Sequence, residues 1–208
     1  VDRRTPSGAD SLKGILFMTG AAIVFPVMNA IAKYLMQFYP VIEVVWARCF
    51  SHLVIVMLLF LPQRGLRLFR TTRFAAQSTL SILLFLSTAF FFWAIASIHL
   101  ADATAIIFTS PFFVIALSGP MLGERVGLAR WLCVVASFVG MLFIVRPGGD
   151  VAQWSALLVV ASSAAYALYQ IYARKVSGDA PATTVTYSAM VASLLTSLAV
   201  PFYWKTPE

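Results

Sequence analysis

The sequence predicts an all-α, polytopic bundle of transmembrane helices, and three observations carry that expectation. Of 208 residues, 61% are hydrophobic and 11% charged, with a mean hydropathy of +0.88, whereas a soluble domain runs near ~45–50% apolar and ~25% charged. Windows of about 19 residues pick out seven apolar segments long enough to cross hydrocarbon. The ~10-residue alternating segments of a membrane β-barrel are absent from the pattern.

The first span, Gly14–Leu35, follows Arg3, Arg4 and Lys13. It exceeds the ~7–15 apolar residues of a signal-peptide core, so it reads as a retained helix although Ala30-Ile31-Ala32 resembles a cleavage site. Tyr39-Pro40 punctuates the joint to Val41–Leu61, and Leu61-Pro62 opens an arginine-rich joint to Phe74–Leu100. The fourth span is Ala103–Leu122; Gly123 to Gly127 turns the chain into Leu128–Val145. Arg146-Pro147-Gly148-Gly149 precedes Trp154–Ala173, and Gly178 to Pro181 precedes Val185–Trp204. Gly119, Gly123 and Gly127 carry the spacing that lets membrane helices approach, but only Gly119 lies clearly inside a span, so the other two read as a turn anchored by Glu124-Arg125.

Charge fixes the expected topology. Arg3, Arg4, Lys13, Arg64, Arg67, Arg70, Arg73, Arg125, Arg130, Arg174 and Lys175 fall on one side, against Lys33, Arg146 and Lys205 on the other. The positive-inside rule then puts the N-terminus in the cytoplasm and the chain in a bacterial inner membrane. Net charge +7 and a pI of 9.8 do not point to nucleic acid, because the basic residues are scattered between apolar runs. The stretch Arg64 to Arg73 serves topology first and attracts anionic headgroups as a by-product.

A slide of 142 positions aligns Gly14–Leu61 with Ala156–Tyr203. Each copy opens with a small-residue-rich span ending in lysine, Lys33 or Lys175, and passes a proline joint into a second span. Five spans lie before the second copy begins, and an odd number inverts it in the membrane, as in many secondary transporters.

These residues carry a family pattern. Ala105-Ile106-Ile107-Phe108-Thr109-Ser110-Pro111, then Leu122-Gly123-Glu124-Arg125, Arg130-Trp131, Gly140 and Val145-Arg146-Pro147-Gly148 resemble the end of a first repeat in the EamA-like branch of the drug/metabolite transporter superfamily. Asn29, Lys33 and Arg48 add support. The resemblance implies two inverted five-helix repeats: a cytoplasmic segment 1–13, a complete first repeat 14–147, and at 148–208 a second repeat truncated after two helices. A fragment of a longer chain is the preferred explanation, in keeping with a first residue of valine; homo-oligomerisation or missing C-terminal helices would complete the pathway.

Several in-span residues are candidates for the solute path. Arg48 costs about 2.5–3.5 kcal/mol inside hydrocarbon, so it is either a cavity-facing cation for an anionic solute, a partner of Glu43, or a snorkelling side chain. Glu43 is either a proton carrier near the outer mouth or an interfacial carboxylate. Pro26 with Asn29 suits a bend lining a cavity, and Pro111 repeats the device. Thr109 and Ser110 are expected first to bond carbonyls freed by Pro111, and otherwise to contact solute. Tyr166, Tyr169 and Gln170 share one helical face, a solute path or an interfacial belt.

Other chemistries find no support. The sequence has no phosphate-binding G-x-x-x-x-G-K-[ST] loop. Cys49 and Cys133 lie in apolar runs and read as small hydrophobes. His52 and His99 lack the partners of a zinc or di-iron site, and eight dispersed acids do not hold magnesium-diphosphate. No cofactor and no metal site are therefore expected, and a membrane enzyme lacks a converging titratable group. The expectation is a secondary transporter of small organic metabolites or drugs, not ATP-driven, with the bilayer and a small-molecule solute as partners. The alternative is a non-transporting membrane subunit that assembles with a partner.

Overall fold

The computed structural model describes residues 8–71, 73–123, 127–145, 153–175 and 181–203. They form eight α-helices: α1 Gly8–Leu35, α2 Val41–Arg64, α3 Phe74–Ile95, α4 Leu100–Ile107, α5 Ser110–Leu122, α6 Leu128–Val145, α7 Gln153–Lys175 and α8 Pro181–Tyr203. A 3-10 turn, Gly65–Phe69, links α2 to α3. The described residues contain no strand, and six stretches among them are long and apolar enough to cross a membrane. The remaining expected span, Leu128–Val145, is helix α6 over the same residues.

Four expected boundaries need correction. Helix α2 continues through Pro62 to Arg64 and stops where Gly65 takes φ +55°; a proline in the last turn removes one bond without halting the helix. Helix α3 ends at Ile95 instead of Leu100, because the chain turns over Ala96 to Ile98 and restarts at Leu100. The fourth span is two helices, broken at Phe108-Thr109, since Pro111 sits in the first turn of α5, where its missing N–H costs nothing. Pro181 likewise opens α8 four residues earlier than expected. The Glu124-Arg125 anchor, the Arg146 to Gly149 joint and Lys205 lie outside the described residues.

Helix α3 occupies the middle of the bundle, packing against α7 and α8, while α2 packs on α8 and α5 on α7. Hydrogen bonds fix the register. Trp46 Nε1 donates to Ser197 Oγ at 2.9 Å, Ser193 Oγ to the Cys49 carbonyl at 3.0 Å, and Tyr187 Oη to the Phe69 carbonyl at 2.9 Å. Those pairs descend α2 as they retreat along α8, so the two helices run antiparallel. Ser162 Oγ donates to the Ser87 carbonyl at 2.7 Å, tying α7 to α3. Small hydroxyl residues suit such seams because helices in lipid associate by close packing and interhelical bonds. On the other flank Phe112 of α5 meets Trp131 and Phe138 of α6, ring centroids 6.0 and 5.9 Å apart.

The buried apolar cluster draws Ala32 from α1, Val44, Val45 and Cys49 from α2, Phe91, Phe92 and Ile95 from α3, Ala103 and Ile106 from α4, and Val159 from α7. Most of α1 instead presents exposed Ile15, Phe17, Met18, Ile23 and Val24. Apolar residues on the outside of a helix this hydrophobic are the surface that lipid covers.

Candidate functional site

The interruption of the fourth span places two of the sequence-predicted residues side by side. Helix α4 ends at Ile107, and Thr109 N–H bonds the Ile106 carbonyl at 2.9 Å in a tight turn. The Thr109 carbonyl then accepts from Phe112 N at 2.9 Å and Phe113 N at 3.3 Å, starting α5. Thr109 and Ser110 are each only 5% exposed. Neither hydroxyl has a hydrogen-bond partner among the described residues. The expectation that they repair the helix is therefore corrected: the break lies before Pro111, and the hydroxyls are left over. A buried hydroxyl with no partner costs about 1–3 kcal/mol, which marks this turn as more than a connection.

Asn29 is buried on α1, at 1% exposure, and its Oδ1 also lacks a partner among the described residues. Pro26 lies inside α1 without interrupting it. One turn beyond Asn29, Lys33 Nζ donates to the carbonyls of Ile95 and Ile98, both at 2.6 Å. The Ile95 carbonyl ends α3 and the Ile98 carbonyl lies in the turn after it, so Lys33 sets a positive charge at the negative end of that helix. Its ammonium is committed to the scaffold.

Arg48 has a neighbour that none of its three sequence readings named. Its guanidinium carbon lies 4.7 Å from the centroid of the Phe92 ring, a cation–π contact that sequence reasoning missed. Phe92 comes from α3, and a run of three phenylalanines is the only hint the sequence holds of it. Glu43 is buried in the first turn of α2, where the positive end of the helix favours a carboxylate. Tyr166 and Tyr169 stack with centroids 6.0 Å apart and planes 21° from parallel; Tyr166 is exposed, while Tyr169 and Gln170 are half-buried. The three residues are carried on α7, which packs against both α4 and α5.

Sequence reasoning also passed over Gln77, Ser87, Ser162 and Ser193, buried polar residues that join helices across the bundle. Small polar residues recurring inside apolar spans were the available signal. His99 sits 3.8 Å from Asp102 at the start of α4, and no group of three His, Cys, Asp or Glu suited to a metal ion occurs among the described residues.

A bundle of long apolar helices with one interrupted span defines a polytopic integral membrane protein. The chain belongs to the EamA-like transporter family, whose model matches residues 12–146. It is similar to a riboflavin transporter of Vibrio cholerae, 29% identical over 95% of this chain and 67% of that protein. A pseudopaline exporter of Pseudomonas aeruginosa is 32% identical over 94% and 68%, and an S-adenosylmethionine uptake transporter of Rickettsia bellii 26% identical over 86% and 62%. The chain thus spans roughly three fifths to two thirds of the length of these relatives. No solved structure matches it.

Proposed function

We propose that the protein is a secondary transporter that moves a small organic solute by alternating access, without ATP. The broken fourth span carries the reading: irregular backbone at membrane depth is tolerated where it is buried in protein or lines a cavity, and two buried hydroxyls without a partner among the described residues accompany it here, which supports a path beside the break. In this reading 14–147 forms the first inverted repeat and 148–208 opens the second, with the N-terminus in the cytoplasm of a bacterial inner membrane. Thr109, Ser110 and Pro111 border the path at mid-depth, with Asn29 facing it from α1. Arg48 and Glu43 supply charge on the outer half of α2, and Tyr166, Tyr169 and Gln170 supply a flat, polar face on α7. Lys33 keeps the scaffold at the outer rim. Relatives named for riboflavin, pseudopaline and S-adenosylmethionine support metabolites with rings or charged groups as the solute class.

The test is flux in proteoliposomes bearing an imposed ion gradient and no nucleotide, with labelled riboflavin, S-adenosylmethionine and a carboxylate-bearing amino acid as probes. Accumulation above protein-free vesicles for one of them is the expected result. Binding of a second membrane protein with no flux of any solute, in the longest natural form of the chain, overturns it. Topology is checked separately: cysteines placed beside Lys33 and Arg70 label from opposite faces, and labelling from one face rejects the orientation.

A further inference from the structure

We infer that the turn between α4 and α5 is a binding site for a monovalent alkali cation, sodium above all, held by the hydroxyls of Thr109 and Ser110 together with main-chain oxygen at the end of α4. Only the coupling of that ion to solute movement rests on the transporter reading; the binding itself does not.

The hydroxyls stand out against their peers. In the same bundle Ser81, Ser163, Thr186 and Thr196 each donate to a carbonyl one turn back in their own helix, and Ser87 and Ser162 satisfy one another. Thr109 and Ser110 do neither, although both are buried. Ser110 opens α5, and helical side chains lean toward the N-terminus of their helix, which directs its hydroxyl back toward the end of α4. There Pro111, having no N–H, cannot donate to the Ile107 carbonyl. The end of α4 also carries the negative pole of its peptide dipoles.

Two backbone donors nearby are already committed. Phe112 and Phe113 N–H both bond the Thr109 carbonyl, so the start of α5 does not offer these amides to an anion. What remains is a buried group of oxygen lone pairs at a negative helix end, the chemistry that hard cations take. A single positive charge fits best, because Asp102 lies at the far end of α4 and divalent ions are held chiefly through carboxylates.

Thermal unfolding of the full chain in nanodiscs, titrated with sodium chloride against choline chloride at constant ionic strength, tests the site. Sodium is expected to raise Tm saturably, since a ligand of the folded state stabilises it. Thr109→Val and Ser110→Ala should each shift the sodium midpoint by about tenfold or more. Ser118→Ala, whose hydroxyl is satisfied by the Ile115 carbonyl at 3.0 Å, should leave it unchanged. Should Thr109→Val not fold, Thr109→Ser keeps the oxygen and must retain the response that Ser110→Ala loses. Equal Tm in both salts, or an undiminished response in the variants, overturns the site. The two readings separate in vesicles: sodium stabilisation without solute flux sinks the transporter and keeps the site, while flux from a protein indifferent to sodium does the reverse.

Discussion

The guanidinium of Arg48 stacks on the ring of Phe92, 4.7 Å from its centroid, at the point where α2 leans on α3. The contact lowers the cost of a charge in hydrocarbon without cancelling the charge. Phe92→Leu should therefore lower stability by about 0.5–2 kcal/mol through the lost cation–π contact, besides its packing. Arg48→Met removes a group that costs about 2.5–3.5 kcal/mol to insert, and should unfold at or above the parent temperature while losing flux of anionic solutes. Thermal unfolding of both variants in nanodiscs decides it. An Arg48→Met protein less stable than Phe92→Leu would make Arg48 a structural post.

Lys33 ends on the last carbonyl of α3 and on one in the turn that follows, and its replacement should be felt there first. Lys33→Met removes a charge-assisted cap and is expected to cost about 1–2 kcal/mol. The local signature is faster amide exchange at Ser97 and Ile98, whose N–H groups both bond the Ala94 carbonyl. If solute binding were lost at unchanged exchange, the assignment of Lys33 to the scaffold would be wrong.

The spans were legible because hydropathy needs only composition over about 19 residues, and the α7 face because its spacing is local arithmetic. The break before Pro111 was not. A proline suits a kinked helix interior and a helix start equally in sequence, and only packing against α7 selects the start. The partners of Lys33 and Arg48 were hidden for another reason: one is a pair of main-chain carbonyls, the other one phenylalanine among several. Ser87 and Ser162, 75 residues apart, had no local clue to each other.

That serine pair gives a measurable seam energy. Interhelical bonds in membranes average about 0.6 kcal/mol by double-mutant cycle and reach about 1.7. Ser87→Ala and Ser162→Ala should couple within that range, since Ser162 also bonds the Ser87 carbonyl and keeps one partner in the Ser87→Ala variant. Additive effects would mean the α3–α7 seam is held by packing alone.

The connections after α2 and after α5 each begin at a glycine with positive φ, and the two should not respond alike. Gly123 has φ 69°, ψ 16°, the left-handed helical region, and its N–H closes α5 on the Gly119 carbonyl at 2.9 Å. Gly65 has φ 55°, ψ −148°, a region essentially closed to other residues. A Cβ at either position meets nothing within 4 Å, so the cost of substitution is backbone strain alone. Gly123→Ala should lose about 1–2 kcal/mol, and Gly123→Asn less, because asparagine tolerates that conformation. Gly65→Ala should lose about 1–3 kcal/mol and gain nothing from asparagine. It should also loosen the turn that Tyr187 holds through the Phe69 carbonyl. Unfolding temperatures of the four variants rank these costs, and equal losses at both glycines would show that the α2–α3 turn relaxes to another conformation at no cost.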